Sequence, residues 1–170
     1  PSPRILLKTP LSTSVRFLNG SSGCMIGLSA SAAAAGSGQN SFGSVPFGDD
    51  PEAFDLSPDG KTAYISAEEE GALAVVDLAS GKALKSIPVG QEPEGVLASP
   101  DGKRVYVTSE VANMVHVVDP AAGTVIKNIA VGKRPRRMVL AADGGQLWVS
   151  NELGASVSVI STQDLAVTHT

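Results

Sequence analysis

From residue 90 onward, apolar and polar residues alternate over short runs. Arg104–Ser109 reads RVYVTS and Met114–Asp119 reads MVHVVD. A period of two marks a strand with one face toward a core. Turn chemistry bounds each run. Glu94–Ser99 stops at Pro100-Asp101-Gly102-Lys103, and Asp-Gly between β-rich runs signals a hairpin because Gly accepts positive φ. Pro120-Ala121-Ala122-Gly123 makes the next turn, and Thr124–Val131 is predicted as a fourth strand. No helical period interrupts this stretch.

The same pattern recurs every 42 residues. Gly48-Asp49-Asp50-Pro51 returns as Gly90-Gln91-Glu92-Pro93 and as Gly132-Lys133-Arg134-Pro135. Asp59-Gly60 returns at Asp101-Gly102 and Asp143-Gly144. Tyr64, Tyr106 and Trp148 keep that spacing, as do Glu68, Glu110 and Glu152; Asp77 matches Asp119, with Ser161 in the third copy. Four strands in about 42 residues describe a propeller blade. The predicted fold is therefore all-β, a partial β-propeller of three four-stranded blades within residues 45–170: about 48–89, 90–131 and 132–170. A single such sheet cannot cover both its faces and must stack on neighbours. Closed propellers take about 4–8 blades, so three imply part of a larger ring, two copies closing one ring, or an open arc. The first is the expectation, because an open arc exposes apolar faces at both ends.

Composition narrows the core and the chemistry. Hydrophobic residues are 42% of the chain and aromatics only 4%, so the core must rest on Val, Ile, Leu and Ala, of which the β-branched ones favour strands. A formal charge of −4 provides no basic footprint for nucleic acid. Cys24 is the single cysteine, which excludes an intrachain disulfide; with only His116 and His169 beside it, a transition-metal site within one copy is not expected. Residues 1–44 differ in character, rich in Ser, Gly and Ala. Arg4, Lys8 and Arg16 precede a weakly apolar stretch, and the small residues Ala30–Ala35 resemble a signal-peptidase site. Asn19-Gly20-Ser21-Ser22-Gly23 breaks that stretch, which leaves an export signal and a flexible leader as alternatives. No run reaches the ~20 apolar residues that span a bilayer.

With the repeat laid out, Ser99-Pro100-Asp101-Gly102-Lys103-Arg104-Val105-Tyr106-Val107-Thr108, echoed by Ser57-Pro58-Asp59-Gly60-Lys61 and Tyr64-Ile65-Ser66, resembles the YVTN-type β-propeller repeats. Blade three departs from the pattern with Ala141-Ala142-Asp143-Gly144-Gly145 and Trp148. Gly48-Asp49-Asp50-Pro51-Glu52-Ala53-Phe54 and Gly132-Lys133-Arg134-Pro135-Arg136-Arg137 look like the propellers associated with PQQ-dependent alcohol catabolism. That resemblance covers residues 46–170. It implies an exported, periplasmic protein of about seven blades that works beside quinoprotein dehydrogenases, with PQQ as the cofactor in view. A cytoplasmic location is the alternative.

In a blade, the loop entering strand one and the loop joining strands two and three lie at the same end. Here that end collects Asp49, Asp50, Glu52, Glu68, Glu69 and Glu70, then Glu92, Glu94 and Glu110, then Lys133, Arg134, Arg136, Arg137 and Glu152. Glu52, Glu94 and Arg136 are repeat equivalents expected at the channel mouth. The functional reading is a polarised pocket, carboxylates for a cation and Arg134, Arg136 and Arg137 for a carboxylate or phosphate, which Arg grips bidentately. The plainer reading pairs Arg136 with Glu152 or Glu110 across neighbouring loops, as solvated charge. His116 is read as a packed structural histidine, and Asp77 and Asp119 as turn formers. No phosphate loop, His-Glu-x-x-His or Gly-x-Ser-x-Gly is present. The expectation is a non-enzymatic binding or scaffold propeller whose partner is a small molecule or a protein, with self-association as one way to close the ring. The alternative is an enzyme, either a hydrolase with a carboxylate-held metal or a PQQ-linked oxidoreductase.

Overall fold

The computed structural model describes residues 50–170 and, as backbone, two strands at 13–20 and 23–30. Those two strands, β1 (Thr13–Gly20) and β2 (Gly23–Ala30), pair antiparallel. The remainder of the expected leader, its small-residue stretch from 31 onward included, lies outside the described residues.

Three four-stranded antiparallel sheets follow in strict sequence order. Blade 1 is β3 (Pro51–Leu56), β4 (Thr62–Ala67), β5 (Ala72–Asp77) and β6 (Lys82–Pro88). Blade 2 is β7 (Pro93–Ala98), β8 (Val105–Ser109), β9 (Met114–Asp119) and β10 (Thr124–Ala130). Blade 3 is β11 (Pro135–Leu140), β12 (Gln146–Asn151), β13 (Ser156–Ser161) and β14 (Ala166–His169). The described residues contain no helix. The molecule is thus a partial β-propeller of three blades, with bounds within a residue or two of those the alternation predicts in blade 2.

The turns form as their residues require. Ser57 Oγ donates to Asp59 (2.6 Å) and accepts from the Thr62 amide (2.9 Å), while Asp59 accepts from the Lys61 amide (3.1 Å). Ser99 and Asp101 repeat this at 2.6, 2.9 and 3.1 Å. The hydroxyl first, then the amide, holds both aspartates below the usual carboxylate range. At the far end of strand three, Asp77 accepts from Ser80 N and Asp119 from Ala122 N, the turn-forming role expected of them.

Packing between sheets makes the core. Each sheet has a trailing face toward the next blade and a leading face toward the previous one. Tyr64, Leu73 and Val75 on the trailing face of blade 1 meet Val96, Val105, Val107 and Val118 on the leading face of blade 2. One repeat on, Tyr106, Val115 and Val117 meet Leu147, Val149 and Ile160. The inner strands β3, β7 and β11 lie side by side, and a relay of hydroxyls ties them. Thr108 Oγ1 accepts from the Gly95 amide (2.6 Å) and donates to the Arg136 carbonyl of the next blade (3.0 Å). Ser66 does the same for Ala53 N (2.8 Å) and the Glu94 carbonyl (3.3 Å). At Gly95 the approach is so close that a Cβ would stand 2.3 Å from the Arg136 carbonyl oxygen. Glycine is required there by the neighbouring backbone.

Candidate functional site

Three non-glycine residues hold positive φ at equivalent positions: Asp50 (53°), Glu92 (49°) and Arg134 (56°). Each precedes the proline that opens an inner strand, where ordinary helical conformation is disfavoured. Left-handed backbone is costly for residues with a Cβ. The compensation is the same in every blade. The carbonyls of Asp50, Glu92 and Arg134 accept the amides of Glu68 (3.1 Å), Glu110 (3.0 Å) and Glu152 (2.9 Å). This bond brings the loop before strand one against the loop after strand two, and so gathers the charged residues of each blade at one end.

Between blades 2 and 3 these charges form a closed cluster. Glu94 on β7 is 6% exposed and Glu110, just past β8, 7%. Arg136 on β11 reaches back across the junction, with Nη1 2.9 Å from Glu94 Oε1 and in a shorter contact with Glu110. Arg134 Nε lies 2.6 Å from Glu110 Oε2 and 3.3 Å from Glu152 Oε2. The Arg134 amide is held by Asn113 Oδ1 at 2.8 Å. Burial, and then a hydrogen bond shared with Glu110, push Glu94 up to about 7, against the pull of Arg136. Burial also works to raise Glu110, but hydrogen bonds from Glu94, Arg134 and Arg136 outweigh it and hold that carboxyl low. Below that value the pair therefore holds a proton on Glu94, with Glu110 as the anion under both guanidinium groups.

Among the described residues, the equivalent carboxylates of blade 1 have no such ion pairs. The carboxylate oxygens of Asp50, Glu52 and Glu68 lie within 4.8 Å of one another. Burial, then Glu52, Asp50 and Glu92, raise Glu68 above its ordinary range. The positions in blade 2 that correspond to Arg134 and Arg136 are Glu92 and Glu94, so the blade 1–2 junction brings acid to acid. Beside it a cleft of about 430 Å³ is lined by Glu68, Glu69, Glu70, Gly71, Gln91 and Glu92.

Of the residues singled out from sequence, Glu94, Arg134 and Arg136 converge, Glu52 belongs to the acidic group of blade 1, and Arg137 stands apart. Its amide donates to Ser150 Oγ (3.0 Å), and its side chain is exposed on the trailing face of blade 3. The plainer pairing of Arg136 with Glu110 and Glu152 is present, the latter at 3.8 Å. The centre of the cluster is Glu110, which sequence reasoning treated only as one partner for Arg136. The recurrence of Glu68, Glu110 and Glu152 was the signal that pointed to it. His116 is buried, its Nδ1 2.8 Å from Asn128 Oδ1, with burial lowering its pKa.

No family model matches the chain, and no curated protein matches it. Solved structures do. Kuenenia stuttgartiensis hydrazine synthase aligns at 29% identity and TM-score 0.67 over 70% of this chain and 34% of that one. A putative 6-phosphogluconolactonase from Bacteroides uniformis aligns at 17% and 0.70 over 93% and 52%. The dihydro-heme d1 dehydrogenase NirN, in complex with DHE, aligns at 19% and 0.67 over 93% and 37%. The chain spans about a third to a half of the length of these structures. The likeness establishes the propeller fold, which here serves both enzymes and WD40 repeats such as those of RRP9.

Proposed function

We propose that this chain is a non-enzymatic binding propeller whose loop end takes a positively charged group, most simply a Lys- or Arg-bearing segment of a partner protein. The observation that carries this reading is the asymmetry of charge between the two blade junctions. Arg134 and Arg136 are already engaged by Glu110, Glu94 and Glu152, so they are poorly placed to grip an anionic ligand such as the carboxylates of PQQ. Asp50, Glu52, Glu68 and Glu92 lie at the other junction, where no arginine among the described residues pairs with them. Like charges held together in a partly buried group favour any cation that relieves their repulsion. The resemblance to propellers of PQQ-linked alcohol catabolism makes a periplasmic partner of a quinoprotein system the natural setting.

Titration calorimetry with a short oligolysine peptide tests this. Binding is expected in low salt, weakening as salt screens the charges, and falling about tenfold or more in Glu52→Gln/Glu68→Gln. Affinity is also expected to drop as pH falls, because Glu68, raised above its ordinary range by burial and its acidic neighbours, takes up a proton earlier than an ordinary glutamate. Equal affinity in the double variant would remove the acidic end from the proposal. A second reading, a hydrolase with a carboxylate-held metal, is favoured by the spacing of Asp50, Glu52 and Glu68, since hard cations take several carboxylate oxygens. Calcium or manganese titration without heat would sink that version and leave the first intact.

A further inference from the structure

The blade ends opposite the charged loops carry the turns between strands one and two and between strands three and four. At the blade 1–2 junction these turns are tied to each other. Asp55 Oδ2 accepts the Ala98 amide of the next blade at 2.8 Å. Gly102 rests on Pro58, since a Cβ there would stand 3.4 Å from the proline ring. One repeat on, both ties are gone. The equivalents of Asp55 and Ala98 are Leu97 and Leu140, and a leucine side chain cannot accept the amide. A Cβ on Gly144, the equivalent of Gly102, would meet nothing within 4 Å. The 2–3 junction therefore stands open at this end, as a cleft of about 360 Å³, within the size range of small-molecule sites.

The cleft has three kinds of wall. Pro100, Tyr106 and Leu140 give it an apolar side, and Asp101 and Asp143 line it from the two facing turns. Asp101 uses Oδ1 for both Ser99 and Lys103, and Asp143 uses Oδ1 for the Gly145 amide. Each thus keeps an Oδ2 with no hydrogen bond among the described residues. The Ser99 hydroxyl, then the Lys103 amide, hold Asp101 below the usual carboxylate range and so ionised. The third wall is Arg104, which stands where blade 1 has Thr62. It donates through Nη1 to the Thr162 carbonyl of blade 3 and forms no ion pair among the described residues. A guanidinium has five N–H donors, so most of its capacity remains for a ligand. A ligand of one sign is poorly matched here. An anion on Arg104 meets two carboxylates, and a cation on the carboxylates meets Arg104.

We propose that this cleft binds a zwitterionic small molecule of the α-amino acid class with an aliphatic side chain. Its carboxylate sits on Arg104, which can grip both oxygens. Its ammonium lies between Asp101 and Asp143, and its side chain covers Pro100, Tyr106 and Leu140. The site shares no residue with the acidic loop end, and neither reading depends on the other.

Amide NMR spectra of the full chain, titrated with leucine to millimolar concentration, test this. Shifts are expected at Asp101, Arg104, Tyr106, Asp143 and Gly144, and not at Glu68 or Glu92. N-acetyl-leucine, which lacks the ammonium, and leucinamide, which lacks the carboxylate, are each expected to bind about tenfold or more weakly. Arg104→Met and, separately, Asp143→Asn are expected to lose affinity for leucine by a similar factor. Asparagine retains the acceptor for the Gly145 amide, so Asp143→Asn keeps the turn and carries the test if Arg104→Met loosens the junction. Unchanged spectra with leucine overturn the proposal, as do shifts confined to other parts of the chain. So does N-acetyl-leucine or leucinamide that binds as well as leucine, or Asp143→Asn that binds leucine as the wild type does.

Discussion

At the scale of single residues, the informative groups are those whose charge state depends on their neighbours. Glu94 titrates at about 7 because burial and the shared proton with Glu110 favour its neutral form. In the unfolded chain it ionises near its ordinary value of 4.5. Between about pH 4.5 and 7 the unfolded state has released a proton that the folded state still holds, so this group subtracts stability as pH rises through that window. Glu110 acts in the opposite sense, contributing stability that is lost only as pH falls through its lowered value. Urea denaturation of the wild type and of Glu94→Gln is expected to show their difference shifting in favour of the variant as pH rises across the window. A difference that does not change with pH would mean that Glu94 is ionised in the fold. The identity of these residues was legible in the sequence, since Glu94, Arg134 and Arg136 sit at repeat-equivalent loop positions. Their mutual neutralisation was not, because ion pairing across a junction depends on side-chain reach and on which blade follows which.

At the scale of strands and turns, the alternation and the Ser-Pro-Asp-Gly-Lys turns carried nearly everything. Strand β9 (Met114–Asp119) has the predicted bounds, and the other three strands of blade 2 differ by one residue. The relation between adjacent strands of different blades lay beyond that pattern. Gly95 resembles any small residue in a strand until Arg136 is seen against it. Gly95→Ala places a methyl group 2.3 Å from a backbone oxygen, and the cost expected of such overpacking is about 1–3 kcal/mol. Thr108→Val leaves the Gly95 amide without its partner, a loss of about 1–3 kcal/mol for a buried donor. Chemical denaturation measures both, and values near zero would show that the blades are free to slide apart at this point. Blade 1 already has Ala53 there, so Ala53→Gly is expected to cost far less than Gly95→Ala.

At the scale of the whole molecule, the blades are alike in sequence and unlike in surroundings. Blade 2 is covered on both faces, whereas blade 3 presents Val139, Trp148 and Val157 to solvent and ends in β14, exposed along its length. In a stack of repeats, stability comes from each unit and from its contacts with neighbours. Hydrogen exchange is therefore expected to release β13 and β14 first and β8 and β9 last. Uniform protection through blades 2 and 3 would show that cover on both faces adds nothing to the local stability of blade 2.

The 42-residue period, the turn residues and the apolar alternation determined the blade, its strand number and its order in the chain, because these depend on interactions close in sequence. They also placed the charged residues at one end, since the loops before strand one and after strand two fall together in any such sheet. Only the tertiary structure decided that Arg134 and Arg136 are engaged by Glu110 and Glu94, that Asp50, Glu52 and Glu68 have no such partner among the described residues, and that Arg137 faces outward. It likewise decided that Tyr106 is core and Trp148 is surface, although the sequence treats them as equivalents. The reason is physical. Burial, ion pairing and proton affinity are set by what stands opposite a side chain, and in a propeller the opposing group comes from another blade.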